Sequence, residues 1–213
     1  SKLIGRLMVA TDSSEIARTA EGFGAEVFRS TRKHPTGTDR VAEIAASEKS
    51  DIFLNIQADN VGLTGRMLDK ALSQFIRGRK CDFGTLATRI RTDEELFNPN
   101  AVKVVVSGEG RAMWFSRYPI PFIQHPADRH RTAEFAFRKH VGVYFFRRAG
   151  LNAFAKWRQS PLEKAESLEQ LRILEHGGAI HVYDTALKTV SVDSPADIEK
   201  LDRVYKRVKQ CPT

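Results

Sequence analysis

The sequence predicts an α/β protein built on a doubly wound, mostly parallel sheet, with a smaller mixed β region. Two observations carry this expectation. Over residues 7–76, short apolar runs alternate with amphipathic helical stretches, an order that gives parallel strands joined by right-handed crossovers. Between residues 83 and 146 the pattern changes to closely spaced strand-like runs with turn residues between them. With 213 residues and 41% hydrophobic content, the chain has material for one substantial core. Residues 1–213 therefore read as a single domain, with 83–146 as a subregion of it.

Leu7-Met8-Val9-Ala10-Thr11 reads as a buried strand, and Asp12-Ser13-Ser14 caps a helix that runs to about Phe23 with Glu15 in its first turn. Gly22-Phe23-Gly24 ends that helix, and Ala25-Glu26-Val27-Phe28 forms the next strand. Thr36-Gly37-Thr38-Asp39 caps a second helix through Val41, Ile44 and Ala45. The apolar run Ile52-Phe53-Leu54 enters a buried strand, and a helix over 64–76 follows with Leu68, Leu72 and Phe75 as its inner stripe. Strands are expected over 83–90, 102–106, 113–116 and 141–146, with Gly108-Glu109-Gly110 as a hairpin turn. Residues 149–177 are helical in pattern, Ile180-His181-Val182-Tyr183 is a strand, and Ser194-Pro195 opens a final amphipathic helix. The stretch 124–137, rich in His, Arg and Asp, reads as a long mobile loop of the kind that covers substrate.

A formal net charge of +8 admits either a nucleic-acid surface or a pocket for a small polyanion. Basic residues concentrate only at Arg77-Gly78-Arg79-Lys80, Arg129-His130-Arg131 and Lys206-Arg207, without an interleaved aromatic ladder for stacking bases. A phosphorylated small molecule therefore ranks above nucleic acid. Cys81 and Cys211 are far apart and lack CxxC spacing, which excludes a disulfide framework and a zinc site and leaves plain thiols. No apolar run approaches the length of about 20 residues that spans a bilayer, so a cytoplasmic protein without a membrane partner is expected.

Gln57 and Asp59 fall at the carboxyl end of a strand, where open α/β sheets bind ligands. An amide followed by a carboxylate suits a nucleotide base or sugar beside a hard divalent cation, although a strand-end Asp also serves as a turn former or cap. Asp193, in Ser191-Val192-Asp193-Ser194-Pro195, is either a helix cap or a second carboxylate for the same ion. Thr36, Gly37, Thr38 and Arg40 put several donors at a helix N-terminus, suiting a nucleobase edge or an anion, and a capping turn explains all but Arg40. Arg117 ends a strand with a fork for a carboxylate, or lies solvated. Alternation puts His140, Gly142 and Tyr144 on one strand face, pointing into a cleft or into the core. Glu169 and Gln170 turn away from the core stripe of Leu168, Leu171 and Leu174, toward a polyhydroxylated substrate.

Taken together, these segments resemble the CMP-Kdo synthetases, the 3-deoxy-manno-octulosonate cytidylyltransferases of bacterial lipopolysaccharide assembly. The likeness lies in Val9-Ala10-Thr11-Asp12, Thr36-Gly37-Thr38-Asp39-Arg40, Asn55-Ile56-Gln57-Ala58-Asp59, Phe97-Asn98-Pro99-Asn100-Ala101-Val102-Lys103, Phe115-Ser116-Arg117, Lys139-His140-Val141-Gly142-Val143-Tyr144, Ser160-Pro161-Leu162-Glu163, Leu168-Glu169-Gln170-Leu171-Arg172 and Val192-Asp193-Ser194-Pro195-Ala196-Asp197, in family order. The resemblance implies a Rossmann-like nucleotidyltransferase that joins CTP and the sugar acid Kdo with release of pyrophosphate. It implies that Asp59 and Asp193 are the catalytic carboxylates holding Mg²⁺, and that Gln57 with Thr36, Gly37, Thr38 and Arg40 meets the cytidine. Arg117, His140, Tyr144, Glu169 and Gln170 would line the sugar-acid pocket, 83–146 would contribute to that pocket and to a homodimer contact, and no nucleic acid is involved.

Two departures stand out. Where the family reads Gln-Gly-Asp-Glu-Pro, this chain has Gln57-Ala58-Asp59-Asn60-Val61, which keeps the metal-binding Asp and removes a glycine, an acid and a proline. The segments 139–144 and 168–172 favour Kdo over the nearest rival substrate, an acylneuraminate, while Asn60-Val61 leaves room for a variant acid such as 8-amino-Kdo. The family also carries a first strand and a loop resembling Ser-x-Arg-x-Pro-Gly-Lys that cradles the triphosphate, and such a segment is expected upstream of Ser1. A catalytically silent nucleotide- or sugar-binding protein is the alternative without it.

Overall fold

The computed structural model describes residues 1–78, 81–126, 130–186 and 190–191, with backbone alone at 61, 190 and 191. β1 (Met8–Thr11), α1 (Ser14–Gly22) and β2 (Glu26–Arg29) form a strand–helix–strand unit in which the two strands pair in parallel. Ser13 caps α1 by accepting from the Ile16 N–H, and Thr36 caps α2 (Gly37–Ala45) by accepting from the Asp39 N–H. Then come β3 (Ile52–Ile56), the two-residue β4 (Asn60–Val61) and α3 (Gly65–Gly78), the longest helix among the described residues. β5 (Phe83–Arg89), α4 (Asp93–Phe97), β6 (Lys103–Val106), β7 (Ala112–Ser116), α5 (Arg131–Glu134) and β8 (Arg138–Arg147) make up the middle of the chain. Short helices α6 (Arg148–Phe154), α7 (Pro161–Glu166) and α8 (Gln170–Glu175) precede β9 (Ile180–Asp184) and β10 (Val190–Ser191), which pairs with β4.

The central sheet runs β7-β6-β8-β5-β9, with β3 also paired to β8. β8 is long enough to pair with β5 along one edge and with β6 and then β3 along the other. β5 and β9 are parallel, and β3, β5 and β6 are each antiparallel to β8, so β3, β5, β6 and β9 share one direction. The α/β class and a central sheet match the expectation, but β1 and β2 form a separate two-stranded sheet, and among the described residues β5–β9 is the one parallel pairing of the central sheet, because β8 and β7 run against the other four strands.

Alternation along β8 separates two apolar layers. Val141, Val143 and Phe145 face α3, packing on Leu68, Leu72 and Phe75. Tyr144 and Phe146 face α6 and α8, with Leu151, Phe154 and Leu171. Basic side chains close the helix ends beneath the sheet. Arg147 donates to the Phe75 and Ile76 carbonyls at the end of α3, at 3.0 and 3.3 Å. Arg148 donates to the Ala45 carbonyl at 3.0 Å and also binds the Glu48 and Ser50 carbonyls after α2. No helix among the described residues is long and apolar enough to cross a membrane.

Three local expectations differ from the structure. The helical pattern over 149–177 is broken into α6, α7 and α8, because Ser160 and Glu163 form a capping box ahead of Pro161 and Ser167 ends α7 in the left-handed region at φ 52°. The helix α4 was not anticipated, and Thr92 caps it. Within the expected mobile stretch 124–137, α5 is tied to α4: the Asp93 carboxylate accepts from the Arg131 and Thr132 N–H groups, both at 3.0 Å. The expected helix after Ser194, and Asp193 with it, lies outside the described residues.

Candidate active site

A cleft of about 510 Å³ opens at the carboxyl end of β3, between the start of α2, the middle of β8 and the α7–α8 corner. Thr36, Gly37, Gln57, Asp59, Arg117, His140, Tyr144, Glu169 and Gln170 all line it. Two residues singled out from the sequence do not. Thr38 is buried behind the wall, and Arg40 turns to Asp12 at 3.0 Å, its Nε buried without a partner among the described residues.

The wall at α2 and β3 is tied both within itself and to the elements that face it. The Gln57 N–H donates to the Gly142 carbonyl at 3.0 Å. A Cβ at Gly142 would come within 2.5 Å of Gln57 Oε1 and 2.7 Å of Asn60 Nδ2, so glycine there lets both amides lie against β8. Asn60 Nδ2 donates to Asp59 Oδ1 at 3.0 Å, orienting that carboxylate. Thr38 Oγ1 donates to Glu169 Oε1 at 2.9 Å and accepts from Asn55 Nδ2 at 3.1 Å, while its N–H donates to Glu169 Oε2 at 3.2 Å. Glu169 thus satisfies the start of α2 from across the cleft. Burial raises its pKa, opposed by the hydrogen bonds from Thr36 and Thr38. A second tie runs in parallel: Arg172, 1% exposed, pairs with Asp39 at 2.9 Å and Glu163 at 2.6 Å and lies 4.1 Å above the Phe154 ring.

The opposite wall keeps unspent capacity. The Arg117 guanidinium donates to the carbonyls of Glu166 (2.7 Å), Pro99 (3.1 Å) and Ser167 (3.4 Å) and has no carboxylate ion pair among the described residues. Its backbone N–H and the Ser116 hydroxyl hold Glu166 at 2.9 and 2.6 Å. Behind it the fully buried Lys103 donates to the Asn98 carbonyl at 3.0 Å and to the Arg117 carbonyl. Burial pulls the Lys103 ammonium down to about 8, with Glu166 opposing and Arg117 adding to the shift. Tyr144 donates to Gln170 Oε1 at 3.0 Å, and Gln170 Nε2 is buried without a partner among the described residues. Burial raises the Tyr144 hydroxyl pKa well above its usual value, and the negative charges of Glu169 and Asp59 add to that shift.

That negative field, with Asp59 on the rim, fits a divalent cation. Among the described residues no group of three or more His, Cys, Asp or Glu gathers around a point. Mg²⁺ needs less from a protein than that, since it takes one or two carboxylates and completes its shell with water and substrate phosphates. The lining also includes Asn60, Asn100, Gln159, Glu163, Lys164 and Ser167, which the sequence reading did not assign to the site. The Ser160–Glu163 capping box was the available signal, because it fixes where the chain turns into the cleft.

A family model described as Cytidylyltransferase matches residues 1–189. A 3-deoxy-manno-octulosonate cytidylyltransferase from Geobacter sulfurreducens is 41% identical over 206 residues, covering 94% of this chain and 82% of the relative. The protein of the same description from Hahella chejuensis is 39% identical over 210 residues, covering 95% and 82%. Among solved structures, a CMP:2-keto-3-deoxy-manno-octonic acid synthetase complexed with CTP matches with a TM-score of 0.84 at 31% identity, over 96% of this chain and 82% of that one.

Proposed function

The chain belongs to the cytidylyltransferase family, and from that membership we propose that it joins CTP and 3-deoxy-manno-octulosonate (Kdo) to give CMP-Kdo and pyrophosphate. The anomeric hydroxyl oxygen of the sugar acid bonds to the α-phosphorus of CTP, and the bond from that phosphorus to the β-phosphate bridging oxygen breaks. Pyrophosphate leaves, and the hydroxyl proton passes to solvent. The observation that carries this reading is the shared cleft: Asp59 and Gln57 face Arg117, a guanidinium without an acidic partner among the described residues.

Gln57, Thr36 and Gly37 meet the cytidine part, with Thr38 and Arg40 behind or beside them holding α2 in place. Arg117 takes the sugar-acid carboxylate through charge-assisted hydrogen bonds. Tyr144, His140, Glu169 and Gln170 border the sugar hydroxyls, and the spare Gln170 Nε2 donates to one of them. Phosphoryl-type transfer needs in-line positioning and charge neutralisation, and the cross-linked walls supply the first. Mg²⁺ held by Asp59 and Asp193, when bound, supplies the second by neutralising triphosphate charge. The product serves lipopolysaccharide assembly in the cytoplasm. The exposed Met113, Tyr118 and Phe122 in the 83–146 subregion support a homodimer contact there.

Pyrophosphate release from the protein with CTP, Mg²⁺ and Kdo tests the proposal, with 8-amino-Kdo and N-acetylneuraminate in parallel. Release with Kdo supports it. Release with another acid alone moves the assignment to that acid, a reading the Asn60–Asp59 contact favours because it replaces the family's acidic neighbour by an amide. No release with any acid assigns a silent binding role.

A further inference from the structure

Thr85 lies on β5 and is fully buried, at the place where the β5–β8 pairing slips. Thr85 pairs with Tyr144 while the next residue, Leu86, pairs with Val141, so β8 bulges by two residues at Gly142 and Val143. A slip of two preserves the alternation, which keeps His140 on the cleft face with Tyr144. The Thr85 hydroxyl sits inside this bulge and touches three polar atoms. Oγ1 is 2.8 Å from the Val143 carbonyl oxygen, 3.4 Å from that of Val141 and 2.8 Å from His140 Nε2.

A hydroxyl has one proton to give. Carbonyl oxygens only accept, and the short contact to Val143 therefore takes that proton. The remaining short contact is satisfied only if His140 Nε2 carries a hydrogen and donates it to Thr85 Oγ1. Burial holds the His140 imidazole pKa down at about 3, so the ring is neutral and its other nitrogen is a bare acceptor. Phe115, edge-on at 5.2 Å, and Tyr144 at the same centroid distance pack the ring, and Nδ1 has no protein partner among the described residues.

We propose that Thr85 is a positioning residue that locks His140 in the Nε2–H tautomer, so that Nδ1 accepts a hydrogen bond from a hydroxyl of the sugar acid. The tautomer follows from the protein alone, and its use on a hydroxyl rests on the reading of this cleft as the sugar-acid site. An unprotonated Nδ1 selects for a donor. It repels a carboxylate or phosphate oxygen placed at the same point, which leaves anionic groups to Arg117 and makes His140 the reader of a hydroxyl.

The test uses ¹⁵N-histidine-labelled protein and long-range ¹H–¹⁵N correlation, with the signal of His140 among the six histidines assigned by its loss in His140→Gln. The expected spectrum shows a protonated Nε2 and a pyridine-type Nδ1, and Thr85→Val mixes the tautomers while Thr85→Ser restores the lock. In steady-state assays Thr85→Val raises KM for the sugar acid by about tenfold, the range of one neutral hydrogen bond, leaves KM for CTP unchanged, and is rescued by Thr85→Ser. A wild-type Nδ1 that carries the proton overturns the proposal even if Thr85→Val fails to fold. So does a folded Thr85→Val with the wild-type tautomer and kinetics. The spectrum is read without substrate, so absence of turnover with every acid would sink the proposed activity and leave the tautomer result standing.

Discussion

The two walls of the cleft differ in how their polar groups are spent. On the α2–β3 wall, Thr38, Asp39 and Asn55 are satisfied by one another and by Glu169 and Arg172, and Arg40 pairs with Asp12 with its Nε left over behind the lining. On the opposite wall, Arg117, just after β7, rests on three carbonyls, while Tyr144 on β8 is held by Gln170 and His140 by Thr85, and each arrangement leaves a charge, an N–H or a lone pair over. The first wall is scaffolding with a few contact points at its rim. The second is a prepared receptor, because its side chains are fixed by protein partners and their remaining valence is aimed at something else.

Substitutions at the two walls should therefore fail in different ways. The largest effect is expected at Asp59: Asp59→Asn lowers Mg²⁺-dependent kcat by about a thousandfold, the several kcal/mol of charge stabilisation a metal site supplies, with the denaturant midpoint unchanged. Near-normal turnover in that variant would remove Asp59 from the chemistry. Arg117→Met should raise KM for the sugar acid by about tenfold to a hundredfold, the range of a hydrogen bond to a charged group, and leave KM for CTP in place. An equal rise in both would erase the distinction between the walls. Thr38→Val should instead cost stability, about 1–3 kcal/mol in urea titration, because Glu169 and Asn55 lose a buried partner. Loss of CTP affinity without loss of stability would show that Thr38 touches the nucleotide after all.

The remaining effect is a pH dependence. Lys103 has its folded pKa lowered from 10.5 to about 8, so between those values the unfolded chain binds a proton that the native protein has released. Stability should rise as pH increases through that window. Lys103→Met should flatten the rise, and a wild-type urea midpoint that falls between pH 8 and 10 would contradict the burial of that ammonium.

Much of this architecture was legible because short-range rules were enough. The alternation in Lys139-His140-Val141-Gly142-Val143-Tyr144 put His140, Gly142 and Tyr144 on one face, and the cleft lies on that face. Thr36 as a cap followed from its side-chain chemistry, and Thr36 is the N-cap of α2. The fate of Thr38 did not follow. A threonine two residues into a helix reads as an available donor until Glu169, 131 residues later, is known to occupy it. The insertion of β8 between β3 and β5 was hidden for a related reason, since strand order depends on contacts that no local pattern encodes. The break-up of 149–177 was readable in principle from Ser160-Pro161 and Glu163, but continuous helical periodicity outweighed the cap.

The carbonyl-bound cations carry one further consequence, in the response to ionic strength. Arg6 pairs with Glu26 and Glu48 at the exposed surface, and such pairs fade as salt screens them. Lys103, Arg117, Arg147 and Arg148 are fastened to backbone carbonyls instead, through direct hydrogen-bond contacts that mobile ions do not enter. Part of the +8 surplus is thus internal fastening, set where added salt has little to screen. Raising the salt concentration should make anionic substrates harder to capture while the receptor wall that awaits them keeps its shape.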